Sequence, residues 1–521
     1  MSRFDRRSDQ EDSAAPAKTH GKISDPAAGS EEATATGKKF ASGTLWVFLA
    51  EALMFPTGLV TAGILTRNLG QEGYGVLTLV SVLVSWVEWT ITSIFARTAV
   101  KFVSDADDWK PVGGAIAQLH LLIGAAAAAI LWVSAKPIAD LFDVPSFVGY
   151  LRLFSLDIPI FCLAYAHRQI LIGRGLFLAR AVASAARWLV RLLIIAVLVE
   201  YANWSIEGAI LGSLGASVVE LIVARWFIKP PLLKRSGYAP QQLFGYALPL
   251  FLFATSLRLF DKLDLFMLKI MGGTVAQVGV YGAAQNLAFV PGVFALSFSP
   301  LLLSTLNSSL QKGELVSAKQ IGLNSVRLVV ALLPFAALAA AAAVAIVSVV
   351  YGEAFSVAGP VLAVLMFGAM GLVMISVVTA ILTAVGRPNL TAVLVAPMLP
   401  ISAVGYALLV PDYGAMGACW VNAVTSMAGA IACLVALHQI WRVPLPVGTY
   451  VRSAIASLIV YQLGVWWIAP DSSLMLKLLL LSSLIPVLLL GLGELNRSER
   501  QFLGSFIGQH KLVKSLRRKL P

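Results

Sequence analysis

The sequence contains few of the residues that soluble enzymes and metalloproteins depend on. Charged residues make up 13% of its 521 positions, against about 25% in an ordinary soluble domain, whereas hydrophobic residues make up 58%. The three cysteines (Cys162, Cys419 and Cys433) form no CxxC pair and the five histidines are scattered, so neither a disulfide framework nor a zinc site is indicated. A GxxxxGK(S/T) phosphate loop is missing, which argues against ATP hydrolysis by that route. We therefore expect no metal, no cofactor and no enzyme activity.

Long apolar runs take the place of soluble domains. The mean hydropathy is +0.82, and about fourteen runs have the roughly 20 to 25 residues that cross a bilayer as a helix. These runs predict an all-α polytopic membrane protein. The spans are expected near residues 42–66, 74–103, 111–134, 148–172, 181–200, 205–228, 245–271, 279–305, 323–350, 358–385, 390–410, 415–438, 448–468 and 474–493. Residues 1–41 are polar and mixed in charge, which predicts a disordered tail, and residues 494–521 form a basic tail.

The basic residues outside the spans predict the orientation in the membrane. Twenty-four Lys and Arg residues of the tails and connecting loops fall on one side, and only Arg67 and Lys136 fall on the other. Positive residues concentrate on the cytoplasmic side of a membrane protein. Both termini are therefore predicted to be cytoplasmic, in the cell (inner) membrane. This topology and the lipid headgroups account for the net charge of +12, so no nucleic-acid partner is expected.

Charged residues inside the apolar runs indicate a polar interior. Arg258, Asp261, Lys262 and Asp264 lie near the middle of the run Tyr246–Met271. Each such charge costs roughly 3 kcal/mol at the bilayer midplane, so four facing lipid would cost on the order of 10 kcal/mol. These side chains must instead face a partner or a wet cavity, which favours a transport-type protein.

A short motif recurs six spans along the chain. Gly73-Tyr74-Gly75 opens the second span, and Gly279-Val280-Tyr281-Gly282 opens the eighth. Recurrence over six spans is the weak internal symmetry expected of two duplicated six-helix bundles. We assign residues 42–228 and 245–438 to these lobes and residues 448–493 to two additional helices.

Two longer segments resemble a known family. LTRNLGQEGYGVLTLV (Leu65–Val80) and DKLDLFMLKIMGGTVAQVGVYGAAQNLAFVP (Asp261–Pro291) are similar to the Wzx-like polysaccharide and oligosaccharide flippases of the MOP exporter superfamily. The resemblance extends over roughly residues 40–440. It implies a V-shaped pair of six-helix lobes that moves a lipid-linked saccharide from the cytoplasmic to the outer leaflet by alternating access. Other polysaccharide-assembly proteins of the membrane are possible partners.

The deep basic residues fit the pyrophosphate of such a lipid-linked sugar. On an α-helix Arg180, Ser184, Arg187 and Arg191 fall within about 60° of one another, so they form one stripe. Guanidinium groups bind phosphate oxygens bidentately, and strongly at low dielectric. The predicted diphosphate-binding residues are Arg187, Arg191, Arg258 and Lys262. The second lobe would supply an apolar counterface with Gln285, Asn286 and Asn422.

Two further sets of charged residues complete the predicted site. Arg97, Lys101, Arg168 and Arg180 are placed at the cytoplasmic mouth, where long basic side chains reach the headgroups. The acidic residues within the spans carry a coupling ion or neutralise an arginine: Glu51, Glu88, Asp157, Asp261 and Asp264. The alternative for the deep arginines is an intramembrane ion pair with one of these acids.

Two other functions remain open at this stage. One is an ion-coupled antiporter of small organic cations from the same superfamily, which the deep basic residues disfavour because a cation pocket should be acidic or aromatic. The other is a membrane enzyme of envelope glycan synthesis. Such enzymes usually need a large external loop, and the longest one expected here runs only from Ala135 to Phe147.

Overall fold

The computed structural model describes residues 46–232, 262–442, 444, 446–467 and 473–494, without the side chains of residues 94–97. All regular structure in these residues is helical. The helices before the 233–261 gap, apart from a helical stretch at 46–52, are α1 (Met54–Asp105), α2 (Trp109–Phe142), α3 (Phe147–Ser155), α4 (Asp157–Gly173), α5 (Phe177–Ile195) and α6 (Ser205–Phe227). Those after it are α7 (262–270), α8 (Val275–Ala288), α9 (Val290–Gln311), α10 (Leu315–Ala331), α11 (Leu333–Ala341), α12 (Ala343–Tyr351), α13 (Gly359–Ala384), α14 (Pro388–Val395), α15 (Met398–Trp441), α16 (Val447–Trp466) and α17 (Leu474–Gly491).

Ten helices of the described residues are long and apolar enough to cross a membrane. Two of them, Trp46–Asp105 and Pro388–Trp441, have 60 and 54 residues. At about 1.5 Å per residue, each is far longer than the roughly 30 Å of a bilayer core. They break at Gly70 (φ 65°) and Gly414 (φ 52°), because glycine adopts positive φ readily. The all-α multi-pass fold is confirmed, whereas the count of fourteen spans stays a prediction.

The helices form two bundles joined along one seam. Helices α1 to α6 pack on one another to form the N-terminal bundle, and α7 to α15 form the C-terminal bundle around α13. The hydrophobic core runs through both bundles, from Leu79 and Ile158 to Val377 and Cys433. The predicted limits of the two lobes remain predictions. The 1–41 tail, most of the seventh span and residues 495–521 lie outside the described residues, as do Arg258 and Asp261.

The recurring glycine motif lies where the two bundles meet. A Cβ atom on Gly75 would be 2.0 Å from the Val275 carbonyl oxygen, and one on Gly279 would be 2.2 Å from the Gln71 carbonyl oxygen. Only glycine permits backbones this close. Hydrogen bonds add to the contact at the same end: Thr66 Oγ1 donates to the Tyr351 carbonyl (3.1 Å) and an Arg67 guanidinium nitrogen to the Val349 carbonyl (2.8 Å). We call this contact the Arg67-end seal.

The two last helices pack on the outside of the C-terminal bundle. Val460 of α16 and Leu481 and Ile485 of α17 bury against Leu338 of α11. Glu494, just beyond α17, accepts hydrogen bonds from Arg327, Arg452 and Thr449 and ties the end of the chain to α10 and α16.

Candidate functional site: a basic cavity between two helix bundles

A cavity of about 320 Å³ lies between the two bundles, next to the Arg67-end seal. Helices α1, α5 and α6 line it on one side, and α7, α8 and α12 on the other. Its charged lining residues are Arg191 and Lys262, and no Asp or Glu of the described residues lines it. The neutral polar lining residues are Thr61, Tyr74, Thr78, Ser81, Ser213, Gln285, Asn286 and Tyr351. The cavity therefore has a positive electrostatic character and many hydrogen-bonding groups.

Arg191 is the residue whose position best suits it to bind an anion. It is half-buried on α5, five residues before the start of a π-helical turn at Ala196. Its buried Nε has no hydrogen-bond partner, and no ion pair joins it to a carboxylate of the described residues. A buried guanidinium nitrogen without a hydrogen-bond partner destabilises the protein. An anionic ligand that accepts a hydrogen bond from this nitrogen would remove that desolvation cost.

Lys262 enters the cavity from the opposite bundle. Its ammonium group donates to Gln285 Oε1 at 3.1 Å, and Gln285 Nε2 in turn donates to Asp264 Oδ2 at 2.7 Å. Asn286 Nδ2 donates to the Tyr74 hydroxyl at 3.0 Å, so this tyrosine of the repeat motif bridges the bundles. Gln285 and Asn286 thus line the counterface as the sequence suggested, and they also hold neighbouring side chains in place.

Asp264 is buried behind this counterface. Its Oδ2 accepts hydrogen bonds from the Tyr281 hydroxyl (2.8 Å), from Gln285 and from Asn422 Nδ2 (3.3 Å). Its Oδ1 accepts one from the Leu265 amide at 2.8 Å. These neutral donors link α7, α8 and α15, so Asp264 organises the cavity wall and does not line the cavity.

Arg187 is held by a carboxylate that the sequence analysis overlooked. It is 8% exposed and contacts Glu220 Oε2 and Ser217 Oγ, each at 3.0 Å, while its guanidinium lies 4.6 Å from the centre of the Phe161 ring. Glu220 is completely buried in α6. Its Oε1 also lies 2.9 Å from Arg168 Nε in an ion pair, although the Nε–H of Arg168 does not point at that oxygen. The predicted alternative of an ion pair thus describes Arg187, but with a different partner. The position of Glu220 in the middle of the apolar sixth span was the available signal.

Arg168 differs from its predicted place at the membrane surface. It is 7% exposed, paired with Glu220, and stacked 4.9 Å from the centre of the Tyr165 ring. The reason is that Glu220 and the rings of Phe161 and Tyr165 give it an ion pair and two cation–π contacts inside the bundle. Arg180 pairs with Glu51 at 3.1 Å, and Ser184 donates to the same carboxylate.

The other predicted mouth residues are peripheral or outside the description. Lys101 is exposed and lies near the Phe102 ring. The side chain of Arg97 is outside the described part of the chain.

Glu88 and Asp157 lie together in the N-terminal bundle. They are 5% and 2% exposed, and their carboxyl groups are within hydrogen-bonding reach of each other. One oxygen of each, Glu88 Oε1 and Asp157 Oδ1, has no hydrogen-bond partner. Among the described side chains, Arg187 and Arg191 are positive charges that act on both acids. The structure thus gathers the two acids and the two arginines that the sequence placed on three separate spans.

Comparisons with known proteins agree with this architecture. A profile of the family described as "Polysaccharide biosynthesis protein" matches residues 64–360, more than half of the chain. Comparison with curated proteins gives no match. Among solved structures, one described as the lipid II flippase MurJ in an inward closed conformation is similar, with a TM-score of 0.65 at 14% identity over 86% of this chain and 98% of that one.

Two further solved structures share the fold. An inward-facing multidrug resistance MATE family transporter of the MOP superfamily has a TM-score of 0.60 at 14% identity, covering 78% of this chain and 96% of its own. A MOP superfamily transporter from Pyrococcus furiosus has a TM-score of 0.56 at 13% identity with the same coverage. The chain thus belongs to the polysaccharide biosynthesis protein family and has the fold of MOP superfamily transporters, as its two signature segments indicated.

Proposed function

We propose that the protein is a flippase that carries a polyprenyl-diphosphate-linked saccharide from the cytoplasmic to the outer leaflet of the inner membrane. The observation that carries the proposal is the cavity between the bundles, with Arg191 and Lys262 facing it and no described carboxylate lining it. Moving such a lipid requires a site for two or more negative charges away from the headgroups. Arg191, whose Nε lacks a partner, supplies one half of that site, and Lys262 supplies the other from the facing bundle.

The polarity of the cavity separates this function from antiport of organic cations. A cation site would present acidic or aromatic faces, whereas the two charged lining residues here are basic. Pocket polarity varies within the fold: the Pyrococcus furiosus transporter is itself described as having a binding pocket of reverse polarity that suggests a different function. The positive charge in this chain favours an anionic substrate.

The size of the cavity fits the head of the lipid and not its tail. About 320 Å³ is at the small end of the range for ligand sites and accommodates a diphosphate with part of a sugar. The polyprenyl tail can stay among the acyl chains of the bilayer, so it needs no room in the cavity. We infer that the rest of the glycan occupies space that opens when the bundles move apart.

Alternating access would use the Arg67-end seal as the outer gate. The sequence predicts that this end faces outside, because its side holds only Arg67 and Lys136 among the loop basic residues. The seal consists of glycine-mediated backbone contacts and a few hydrogen bonds, which are weak enough to break and re-form in each cycle. Opening the seal would expose the bound diphosphate to the outer leaflet.

The proposal is tested by replacing Arg191. Arg191→Ala should abolish transfer of a fluorescent undecaprenyl-diphosphate saccharide across reconstituted vesicles, while protein abundance stays at the wild-type level. Arg191→Lys should restore only part of the activity, because lysine keeps the charge and loses the planar fork. Arg152→Ala is the matched control, since Arg152 lies on α3 away from the cavity with its guanidinium 5.8 Å from the Trp132 ring. Wild-type transfer by Arg191→Ala would refute the proposed site.

A further inference from the structure

We propose that Glu88 and Asp157 form a binding site for a single proton, and that this proton controls whether Arg191 is available to an anion. The second half of this statement rests on the proposed function, whereas the first half does not. The carboxyl pair is assembled from α1 and α4, and it lies behind the cavity wall rather than in it.

The local structure makes the two carboxyl groups unequal. Asp157 is the first residue of α4, after α3 has ended at Ser155. Pro159 in this first turn lacks an N–H group, which suits a helix start. The Ser217 hydroxyl is also within hydrogen-bonding reach of Asp157, which favours a negative charge on this carboxyl group. Glu88 lies in the interior of α1 without such help, so the shared proton belongs on Glu88 with Asp157 as its acceptor.

The hydrogen-bonding pattern leaves room for that proton. Glu88 Oε1 and Asp157 Oδ1 are both buried and unpartnered. Two ionised carboxylates this close in a buried site repel each other, and a single shared proton turns that repulsion into a hydrogen bond. A buried charge-assisted O–H···O bond also satisfies oxygens that are otherwise left without a donor.

The groups around the pair favour a proton over a metal cation. Arg187 and Arg191 of α5 face both acids, Ser217 and Glu220 of α6 lie beside Asp157, and Cys162 of α4 lies near both. No group of three or more His, Cys, Asp or Glu side chains that could hold a metal ion occurs in the described part of the chain. Two guanidinium groups would repel a sodium ion, which also needs several oxygen ligands, whereas a proton needs only the two carboxyl groups.

The proton changes the balance of charge in the bundle interior. Among the described side chains, three acids (Glu88, Asp157 and Glu220) face three arginines (Arg168, Arg187 and Arg191), and Glu220 already pairs with Arg168 and Arg187. When the pair carries one proton, the interior has one surplus positive charge, and Arg191 is then free of a carboxylate and able to bind an anionic ligand in the cavity. When the proton leaves to water, the second carboxylate neutralises Arg191 and the anion is released. Binding of an anion should therefore promote uptake of a proton, and loss of the proton should promote release.

The proton site is tested by infrared difference spectroscopy on the purified full-length protein in lipid nanodiscs. A protonated carboxyl group has a C=O stretch that is separate from the carboxylate bands and shifts in D₂O. We expect this band in the wild type at neutral pH, its loss in Glu88→Gln, and no change in Asp140→Asn. Asp140 is the matched control because it is exposed and paired with Lys136. Asp157→Asn serves as the second variant if Glu88→Gln does not elute as a folded protein, because that change also removes the pair. A wild type without the band, or a band that survives both substitutions, overturns the proton site.

The coupling is tested with farnesyl diphosphate as the probe in weakly buffered solution. A pH indicator should report uptake of up to about one proton per bound diphosphate by the wild type, and at least a tenfold smaller uptake by Glu88→Gln. Binding without proton uptake would overturn the coupling. Failure of the wild type to bind farnesyl diphosphate would overturn the proposed function and the coupling together, and the infrared band would still decide the proton site by itself.

Discussion

The interiors of the two bundles differ in one property above all, which is charge. Of the side chains described in the N-terminal bundle, five charged ones are buried: Glu88, Asp157, Arg168, Arg187 and Glu220. In the described residues 262–442, Asp264 is the one charged side chain that is buried. In the described residues, the interior of the N-terminal bundle thus holds several paired charges, whereas that of the C-terminal bundle holds a single buried carboxylate.

The C-terminal bundle gains its stability from close helix packing. α13 contains no charged residue, and it approaches α15 through small residues. A Cβ atom on Gly371 would lie 2.9 Å from the Ser426 backbone, and one on Gly368 would lie 3.1 Å from the Ala423 backbone. Small residues at such contacts let membrane helices pack closely without a hydrophobic driving force. We infer that this bundle acts as a rigid body, against which the charged bundle moves.

The largest effect is expected from Glu220, because two buried arginines depend on it. Glu220→Gln leaves Arg168 and Arg187 without their carboxylate, which should cost about 3–5 kcal/mol. The measurements are the thermal unfolding temperature and the abundance of the protein in membranes, and both should fall. Asp264→Asn is the matched change in the other bundle. It should cost less than Glu220→Gln, because Tyr281 and Gln285 donate to Asp264 as neutral groups and an amide oxygen can still accept from them. Equal losses of stability in Glu220→Gln and Asp264→Asn would contradict the proposed difference between the two bundles.

At the Arg67-end seal we expect a smaller effect on stability but a large effect on conformation. Gly279→Leu places side-chain atoms where the Gln71 carbonyl lies, and overpacking of this kind costs about 1–3 kcal/mol. The bundles should separate at this end, so a cysteine introduced at Thr78 should react faster with a water-soluble maleimide than in the parent protein. Gly149→Leu is the control, since nothing lies within 4 Å of a Cβ at that position. An unchanged labelling rate in Gly279→Leu would show that the seal is not a moving contact.

The sequence revealed the all-α membrane fold and the family but not the pairing of charges. Apolar runs and the positions of Gly70 and Gly414 are local features, so the helices and their breaks follow from them directly. The stripe Arg180, Arg187 and Arg191 was also visible. Which acid each arginine meets depends on helix packing, since Arg187 and Glu220 are 33 residues apart and on different helices.

The cavity shows the same limit of sequence reasoning. Arg191 and Lys262 could be proposed as deep basic residues because they lie within apolar runs. Their approach to one cavity depends on how the two bundles meet, which no local pattern encodes. The role of Gln285 as a bridge between Lys262 and Asp264 likewise follows from the register of α7 against α8.

The smallest effect is expected where the last helices join the C-terminal bundle. Burial opposes ionisation of Glu494, but hydrogen bonds from Thr449, Arg452 and Arg327 outweigh it and leave the pKa of this carboxyl lower than usual. A lowered pKa means that the group stabilises the fold above its unfolded pKa, and that this contribution is lost as the pH falls through the folded pKa. Glu494→Gln should therefore cost about 1 kcal/mol near neutral pH, since Arg452 is partly exposed. The difference in unfolding temperature from the wild type should shrink on acidification, and a difference that grows would contradict this account.

The central claim is that the charged bundle presents Arg191 to a diphosphate, and direct binding tests it. Farnesyl diphosphate should be titrated into wild-type protein, Arg191→Ala and Arg152→Ala in nanodiscs at one fixed pH and salt concentration. Loss of a charge-assisted contact worth about 1.5–3 kcal/mol corresponds to a 10- to 150-fold weaker affinity. The account predicts a loss of this size for Arg191→Ala and none for Arg152→Ala. Equal affinities for the wild type and Arg191→Ala would contradict it.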